Sequence, residues 1–411
     1  MLSNSLNLSL KKNQSQIAQW FEKHEKKIDI PFLTSITIKN GGFKASVSDA
    51  RLFPSGLNYL CKTDLKNVSL LIKKYFEKHY PEALKNKNIL ILCSATHPNP
   101  FYYDHLNVLC HLFKKGRFHP CVATLDPIRT PLSLKTPSGK RVRIHPAYLE
   151  KDRLKSEAID PCFIVIGDAY AAAKLSSFSY LSQPLSPPAK ILSNHEIGNA
   201  YLTTFNKLVD DFSKMVSTDP WLMGVDFRLE PRLNIDEKGG LEKAAAIIST
   251  LLGNLKNKYS QYQIPSSPSL TVQSNSGTSG TGRVTIRSVD DLMQLHQFKK
   301  QKKSATKSQM IDDILIKEEI SVQPLFKEIV GEAVIYLIGN EVAGGYIKTY
   351  CDKTTKDLST SRKYLFQSLC LTNGTHRHPK KRADKKLGLL YHNLSKIGGL
   401  AVGYAIDQVR V

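Results

Sequence analysis

The chain has 411 residues, with 58 Lys+Arg against 36 Asp+Glu, a formal net charge of +22 and 41% hydrophobic residues. That length is ample for two or three domains with a sizeable core, and the hydrophobic share excludes a wholly disordered chain. No apolar run approaches the roughly 18 to 20 residues of a membrane span, and the opening MLSNSLNLSLKK lacks the pattern of a signal peptide. The 7 cysteines are scattered without a CxxC pair and read as free thiols in a reducing compartment, which predicts a cytoplasmic protein. The positive charge suits anions. Its densest runs, Lys299–Lys307 and His376–Lys386, come without a nucleic-acid-binding signature, so a basic solvated surface is expected and nucleic acid is an unlikely partner. Oligomeric state is not legible.

In the first third, helix and strand signals alternate. Asp64 is placed to cap a helix whose apolar positions Val68, Leu71, Ile72, Tyr75 and Phe76 recur at helical spacing. Asn88–Cys93 reads as a buried strand, Phe101–Lys115 as a helix closed by Gly116, and Pro120–Thr124 as a second strand. Leu132–Thr136 and Arg141–His145 flank the turn Pro137-Ser138-Gly139, and Cys162–Ile166 is another buried strand. Such alternation predicts an α/β layer on a mainly parallel sheet. Ser182–Pro188 breaks the pattern, the helical segments Leu202–Val216 and Leu241–Tyr259 follow, and Ile264–Pro268 is a second break. The expected organisation is an α/β fold in three parts: an N-terminal α/β domain (1–185), a helical linking section (186–264) and a β-rich C-terminal domain (265–411).

The C-terminal part carries the most informative segment, Leu270–Ile286. Two β-branched strand signals enclose Ser276, Gly277, Thr278, Ser279, Gly280, Thr281 and Gly282. Glycines allow close backbone approach, and hydroxyls with amide N–H groups cradle phosphate oxygens. The GK[ST] tail of a P-loop and a GxGxxG before a helix are both absent, which removes the Walker and Rossmann readings. A flexible linker is the plain alternative. Beyond the loop, Ser288 and Asp291 form a capping-box pattern, Ile320–Gln323 reads as a strand, and Glu332–Ile338 with Glu341–Tyr350 reads as a hairpin about Gly339-Asn340, a pair suited to type I′ geometry.

The chain resembles the proteobacterial, ATP-grasp-type glutamate–cysteine ligase family. Lys39, Asn40, Gly42, Phe43, Lys44, Asp49, Phe53, Pro54, Gly56 and Asn58 are similar to that family's N-terminal block; Ser193-Asn194-His195 and Asp219-Pro220-Trp221-Leu222 are similar to its SNH and DPWL motifs. Ser276–Gly282 matches its glycine loop, and Ile335–Lys348 its VYMIDRYVVGGFYR hairpin. The resemblance implies an ATP-grasp-like nucleotide-binding domain at the C-terminus, with ATP and Mg2+ required. It also implies ligation of the glutamate γ-carboxylate to cysteine through an acyl phosphate, giving γ-glutamylcysteine for glutathione synthesis.

On that reading Gln273, Ser276, Gly277, Thr278, Gly280, Gly282 and Gln323 would contact ATP, and Lys348 would be the catalytic cation, standing where the family has arginine. Asn40, Lys44, Asp49 and Asn58 would hold the amino acids, and Asp357 is the nearest surviving carboxylate for the metal. Lys44 with Asp49 as a surface pair is the plain alternative. His376 and His378 lack companions for a metal set. Departures cluster at the nucleotide: Gln273 replaces a lysine, Val322-Gln323-Pro324-Leu325 replaces VQEG, and Thr355–Ser359 replaces DENLN. These keep a second reading open, a non-catalytic relative binding a nucleotide, peptide or polyanion. If a cation compensates at Gln273, Arg283 and Lys317 are the candidates.

Overall fold

The computed structural model describes residues 2–177, 180–191, 197–233, 238–274, 284–294, 312–326, 329–350, 364–371 and 385–409. The chain begins with α1 (Leu2–Lys12) and α2 (Gln14–Glu25), then forms β1 (Leu33–Asn40) and β2 (Ala45–Arg51). Next come α3 (Lys62–His79), the short α4 (Ala83–Asn86), β3 (Asn88–Leu92), α5 (Tyr102–Lys115) and β4 (His119–Thr124). The remaining strands of this region are β5 (Leu132–Lys135), β6 (Arg141–Glu150), β7 (Arg153–Ser156), β8 (Phe163–Ile166) and, after α6 (Ala169–Leu175), β9 (Leu185–Ser186). Then follow α7 (Ile197–Met215), β10 (Phe227–Leu233), α8 (Lys238–Gln261), β11 (Ser269–Ser274), β12 (Val284–Ile286) and a short helix, α9 (289–294). Last are β13 (Asp312–Glu319), β14 (Pro324–Phe326), β15 (Ile329–Ile338), β16 (Glu341–Tyr350), β17 (Tyr364–Leu369) and α10 (Lys385–Gln408). Among the described residues no helix is long and apolar enough to cross a membrane.

The strands build three sheets. The central one runs β17-β16-β15-β1-β2, every pair antiparallel, with β14 beside β15. A second runs β10-β13-β11-β12, also antiparallel. In the third, β4, β3, β8 and β9 are parallel neighbours, as the alternating sequence pattern predicts, and the β5–β6 hairpin closes one edge. The Ser182–Pro188 break therefore contains a strand of this sheet, and Ser186 Oγ accepts a hydrogen bond from Phe32 N at 2.8 Å. A division at 185 and 264 passes through the central sheet, with β1 and β2 on one side and β15 to β17 on the other.

Burial follows the layers. Ile36, Ile38, Ala333, Ile335 and Leu337 face α10, α7, α1 and α2, whereas Leu33, Val334, Tyr336, Ile338 and Tyr346 face α3, α5 and the parallel sheet. A strand covered on both sides reads as a continuous apolar run, which is why Ala333–Ile338 (AVIYLI) shows no alternation. The far side of the parallel sheet packs on α6, and α8 backs the second sheet.

Three local expectations change. The sulfur of Cys61, not Asp64, caps α3, accepting from Asp64 N at 3.4 Å; Asp64 is buried and its carboxylate reaches Gly345 N. The strand leaving the second sheet is Asp312–Glu319 rather than Ile320–Gln323, because the ladder ends at Ser269↔Glu319 and Gln323 N turns away to Asn40 O at 2.9 Å. In the Gly339-Asn340 turn only Gly339 takes positive φ (57°), the pattern of type II′ rather than I′.

α10 lies close on the central sheet because of its glycines. A Cβ on Gly399 would stand 2.4 Å from Asn340 Oδ1 and 2.7 Å from Leu337 Cδ1, whereas one on Gly388 meets nothing within 4 Å. Opposite outcomes are expected in urea unfolding: Gly399→Val loses about 1–3 kcal/mol through overpacking, and Gly388→Ala gains about 0.5–1 kcal/mol of helix propensity.

Candidate active site

Directly opposed residues of an antiparallel sheet share a face. On the α3 side of the central sheet this produces three successive rungs: Arg51–Ser35–Tyr336–Gly344, then Asp49–Thr37–Val334–Tyr346–Ser368, then Ser46–Lys39 with Glu332–Lys348–Phe366. Lys39 Nζ joins the two halves of the last rung, 3.6 Å from Glu332, and also pairs with Glu319 at the end of β13. Asp49, Arg51, Lys39, Glu332 and Lys348 therefore share one face. Asp49 and Arg51 are about half exposed, their ion pair formed through Arg51 Nε at 3.0 Å.

The loop after β2 closes over one end of this face. Tyr336 donates its hydroxyl proton to Ser55 O, and the Tyr336 and Tyr346 hydroxyls would each lie 3.1 Å from a Cβ on Gly56, whose φ of 110° also demands glycine. Asn58 is half buried there, and among the described residues its Oδ1 has no hydrogen-bond partner. Tyr59 stacks on Phe366, with centroids 4.0 Å apart.

The second sheet closes the other end. Ser269, Thr271 and Gln273 of β11 lie opposite Glu319, Lys317 and Leu315, so these six share a face. Thr271 Oγ1 donates to Glu319 at 2.6 Å, and Lys317 Nζ donates to Ser48 O of β2 at 2.8 Å. Lys317 is thus a diagonal neighbour of Gln273 on one surface, while its ammonium is directed to the central sheet.

Asn40 and Lys44 stand apart from the rungs. Asn40 faces α10, donates to Tyr391 Oη at 3.1 Å and accepts from Gly42 N at 2.8 Å. Lys44 is not a surface partner of Asp49: it is fully buried, bonds Glu318 at 2.5 Å and lies 4.3 Å from the Trp221 ring centroid. Trp221 stacks between Phe43 and Tyr262, and Asp219 accepts from Trp221 N, Lys258 and Tyr262, so the Asp-Pro-Trp-Leu motif builds the cage around Lys44. Gln323 is exposed. Ser276, Gly277, Thr278, Gly280, Gly282, Arg283 and Asp357 lie outside the described residues, as do Ser193-Asn194-His195, His376 and His378.

Sequence reasoning missed Arg51, Glu318, Glu319 and Glu332. The period-2 spacing of Asp49 and Arg51 was a usable signal for the first. Among the described residues no three His, Cys, Asp or Glu converge as a metal-holding group. Glu319 and Glu332 meet on an ammonium instead, so the described residues alone do not fit Mg2+.

One face of the central sheet thus carries Asp49, Arg51, Lys39, Glu332 and Lys348, and the comparisons give the class of the protein as a ligase. Residues 8–406 match the family model for glutamate-cysteine ligase, GshA, and the chain belongs to that family. A crystal structure from Methylobacillus flagellatus KT, of a protein assigned as a gamma-glutamylcysteine synthetase, has the same fold: TM-score 0.85 at 22% identity over 100% of this chain and 96% of that one. D-alanyl-alanine synthetase A from Vibrio cholerae aligns at a TM-score of 0.31 and 12% identity, over 75% of this chain and 79% of that one. No curated protein sequence matches significantly.

Burial pushes the Glu318 carboxyl above its ordinary 4.5, against the pull of Lys44, and burial with Glu318 next pushes Tyr259 up to about 12. A carboxyl raised on folding stabilises below its unfolded pKa and loses that contribution as pH rises through the folded one. Lys44→Met leaves Glu318 unpaired, an expected loss of about 3–5 kcal/mol, most of it recovered by adding Glu318→Gln. Urea titrations of the single variant should show a larger deficit from wild type at pH 8 than at pH 5.

Proposed function

We propose that this enzyme joins the γ-carboxylate of glutamate to the amine of cysteine at the expense of ATP, through an acyl phosphate. The product, γ-glutamylcysteine, would serve glutathione synthesis, in a cytoplasmic setting that the free thiols suit. The observation that carries the reading is the shared face of Asp49, Lys39, Glu332 and Lys348, tied through Lys39–Glu319 and Lys317–Ser48 to the sheet whose strand β11 bears Gln273 and leads into the glycine-rich segment.

ATP is taken to lie between the central and second sheets, as in an ATP-grasp enzyme. Gln273 and the segment Ser276, Gly277, Thr278, Gly280 and Gly282 would contact its phosphates, and Gln323 the base. A γ-carboxylate oxygen attacks the γ-phosphorus and ADP leaves; the cysteine amine then attacks the acyl carbon and phosphate leaves. Positioning and charge neutralisation do most of the work in such transfers. Lys348 is assigned the charge on the transferred phosphoryl group, with Glu332 opposite it on β15. Asp49 and Asn58 are assigned to the amino-acid substrates. Asn40 and Lys44 are assigned a supporting part, through the turn that joins β1 to β2. Mg2+ would neutralise phosphate charge, and Asp357 remains its proposed carboxylate.

Purified protein should release ADP only when glutamate, cysteine, ATP and Mg2+ are all present. Lys348→Met is expected to lower kcat/KM about 100- to 1000-fold with little change in melting temperature. ADP release that is independent of either amino acid would overturn the reading, as would full activity in the variant.

A further inference from the structure

Arg51 was not singled out by its sequence, and the geometry gives it a definite part. Its Nε donates to Asp49, and among the described residues its two Nη groups meet no hydrogen-bond or ion-pair partner. A guanidinium used at Nε alone keeps its outer edge, whose parallel N–H groups match a carboxylate. Asp49 likewise accepts through Oδ2, and among the described residues nothing bonds its Oδ1. Side by side, about half exposed, the two groups present one fork for a carboxylate and one acceptor for an ammonium. That is the complement of an α-amino acid headgroup.

Resting on the ligase reading above, we infer that Arg51 and Asp49 form the clamp for the α-carboxylate and α-ammonium of the acid substrate. Arg51 is then a substrate-binding, specificity-determining residue rather than the surface partner of an acid.

The test compares full-length wild type with Arg51→Gln, Arg51→Lys and Asp49→Asn, with cysteine as amine. Three acids are compared: glutamate, 4-aminobutyrate (no α-carboxylate) and glutarate (no α-ammonium). For wild type, kcat/KM should favour glutamate over each of the other two by at least about 100-fold. In Arg51→Gln the glutamate to 4-aminobutyrate ratio should fall below about 10; Arg51→Lys should lie between; in Asp49→Asn the glutamate to glutarate ratio should collapse instead. A ratio does not depend on how much enzyme is folded. Unchanged ratios, or equal losses on all acids, overturn the clamp. Calorimetric binding of the same acids, without turnover, separates the two readings. Wild type that binds glutamate but not 4-aminobutyrate, with Arg51→Gln no longer discriminating, keeps the clamp even if no ADP forms and the ligase reading falls. Wild type that does not discriminate in binding or in turnover removes the clamp.

Discussion

The pairing of β1 with β15 is the constraint on which the rest of the molecule depends. It runs from Leu33↔Ile338 to Ile38↔Ala333 and closes a chain segment of about 300 residues, at an entropic cost of about 5 kcal/mol. Little local structure offsets that cost, so the return comes from burial. The apolar side chains of both strands pack against helices on one face and against α3, α5 and the parallel sheet on the other. The same pairing sets residues of the N-terminal block beside residues of the C-terminal hairpin, and the polar rungs exist only because of it.

Buried charge then fixes how the second sheet meets the central one. Lys39 to Glu319 and Lys44 to Glu318 both run from the β1–β2 hairpin to the end of β13, from opposite sides of that strand. Pairs of this kind add little net stability, since desolvation offsets most of the attraction, yet each is costly to break. Their effect is geometric. They hold Thr271, Gln273 and Lys317 against the polar face, with the aromatic cage of Phe43, Trp221 and Tyr262 excluding water around Lys44.

Most secondary structure was legible in the sequence because its signals are local. The run NILILC gave β3, Gly116 ended α5, and Ser288 with Asp291 did form a reciprocal cap, at 3.1 and 3.2 Å. β13 was misplaced because its sequence, DDILIKEE, carries five charges, and it is a strand because β10 and β11 pair with it on either side, with Lys39 and Lys44 neutralising Glu319 and Glu318. Family membership was legible from four ordered motifs spread along the chain. The candidate site was legible only in part: Asp49 and Lys348 were singled out, but Glu332 and Arg51 gain meaning from register, which no composition or spacing records.

One irregularity in β16 carries more than its size suggests. From the turn, Ile338↔Glu341 and Leu337↔Val342 are in phase, but the next pair is Tyr336↔Gly344, so Ala343 is an extra residue in the ladder. Had the strand kept Ala343 in a regular ladder, Glu332 would face Ile347 and Lys348 would point toward α10. The bulge absorbs the surplus residue and restores the phase beyond it. Loss of one residue there would straighten the strand and still leave Glu332 opposite Lys348, whereas gain of one would demand a second bulge to keep the lysine on its face.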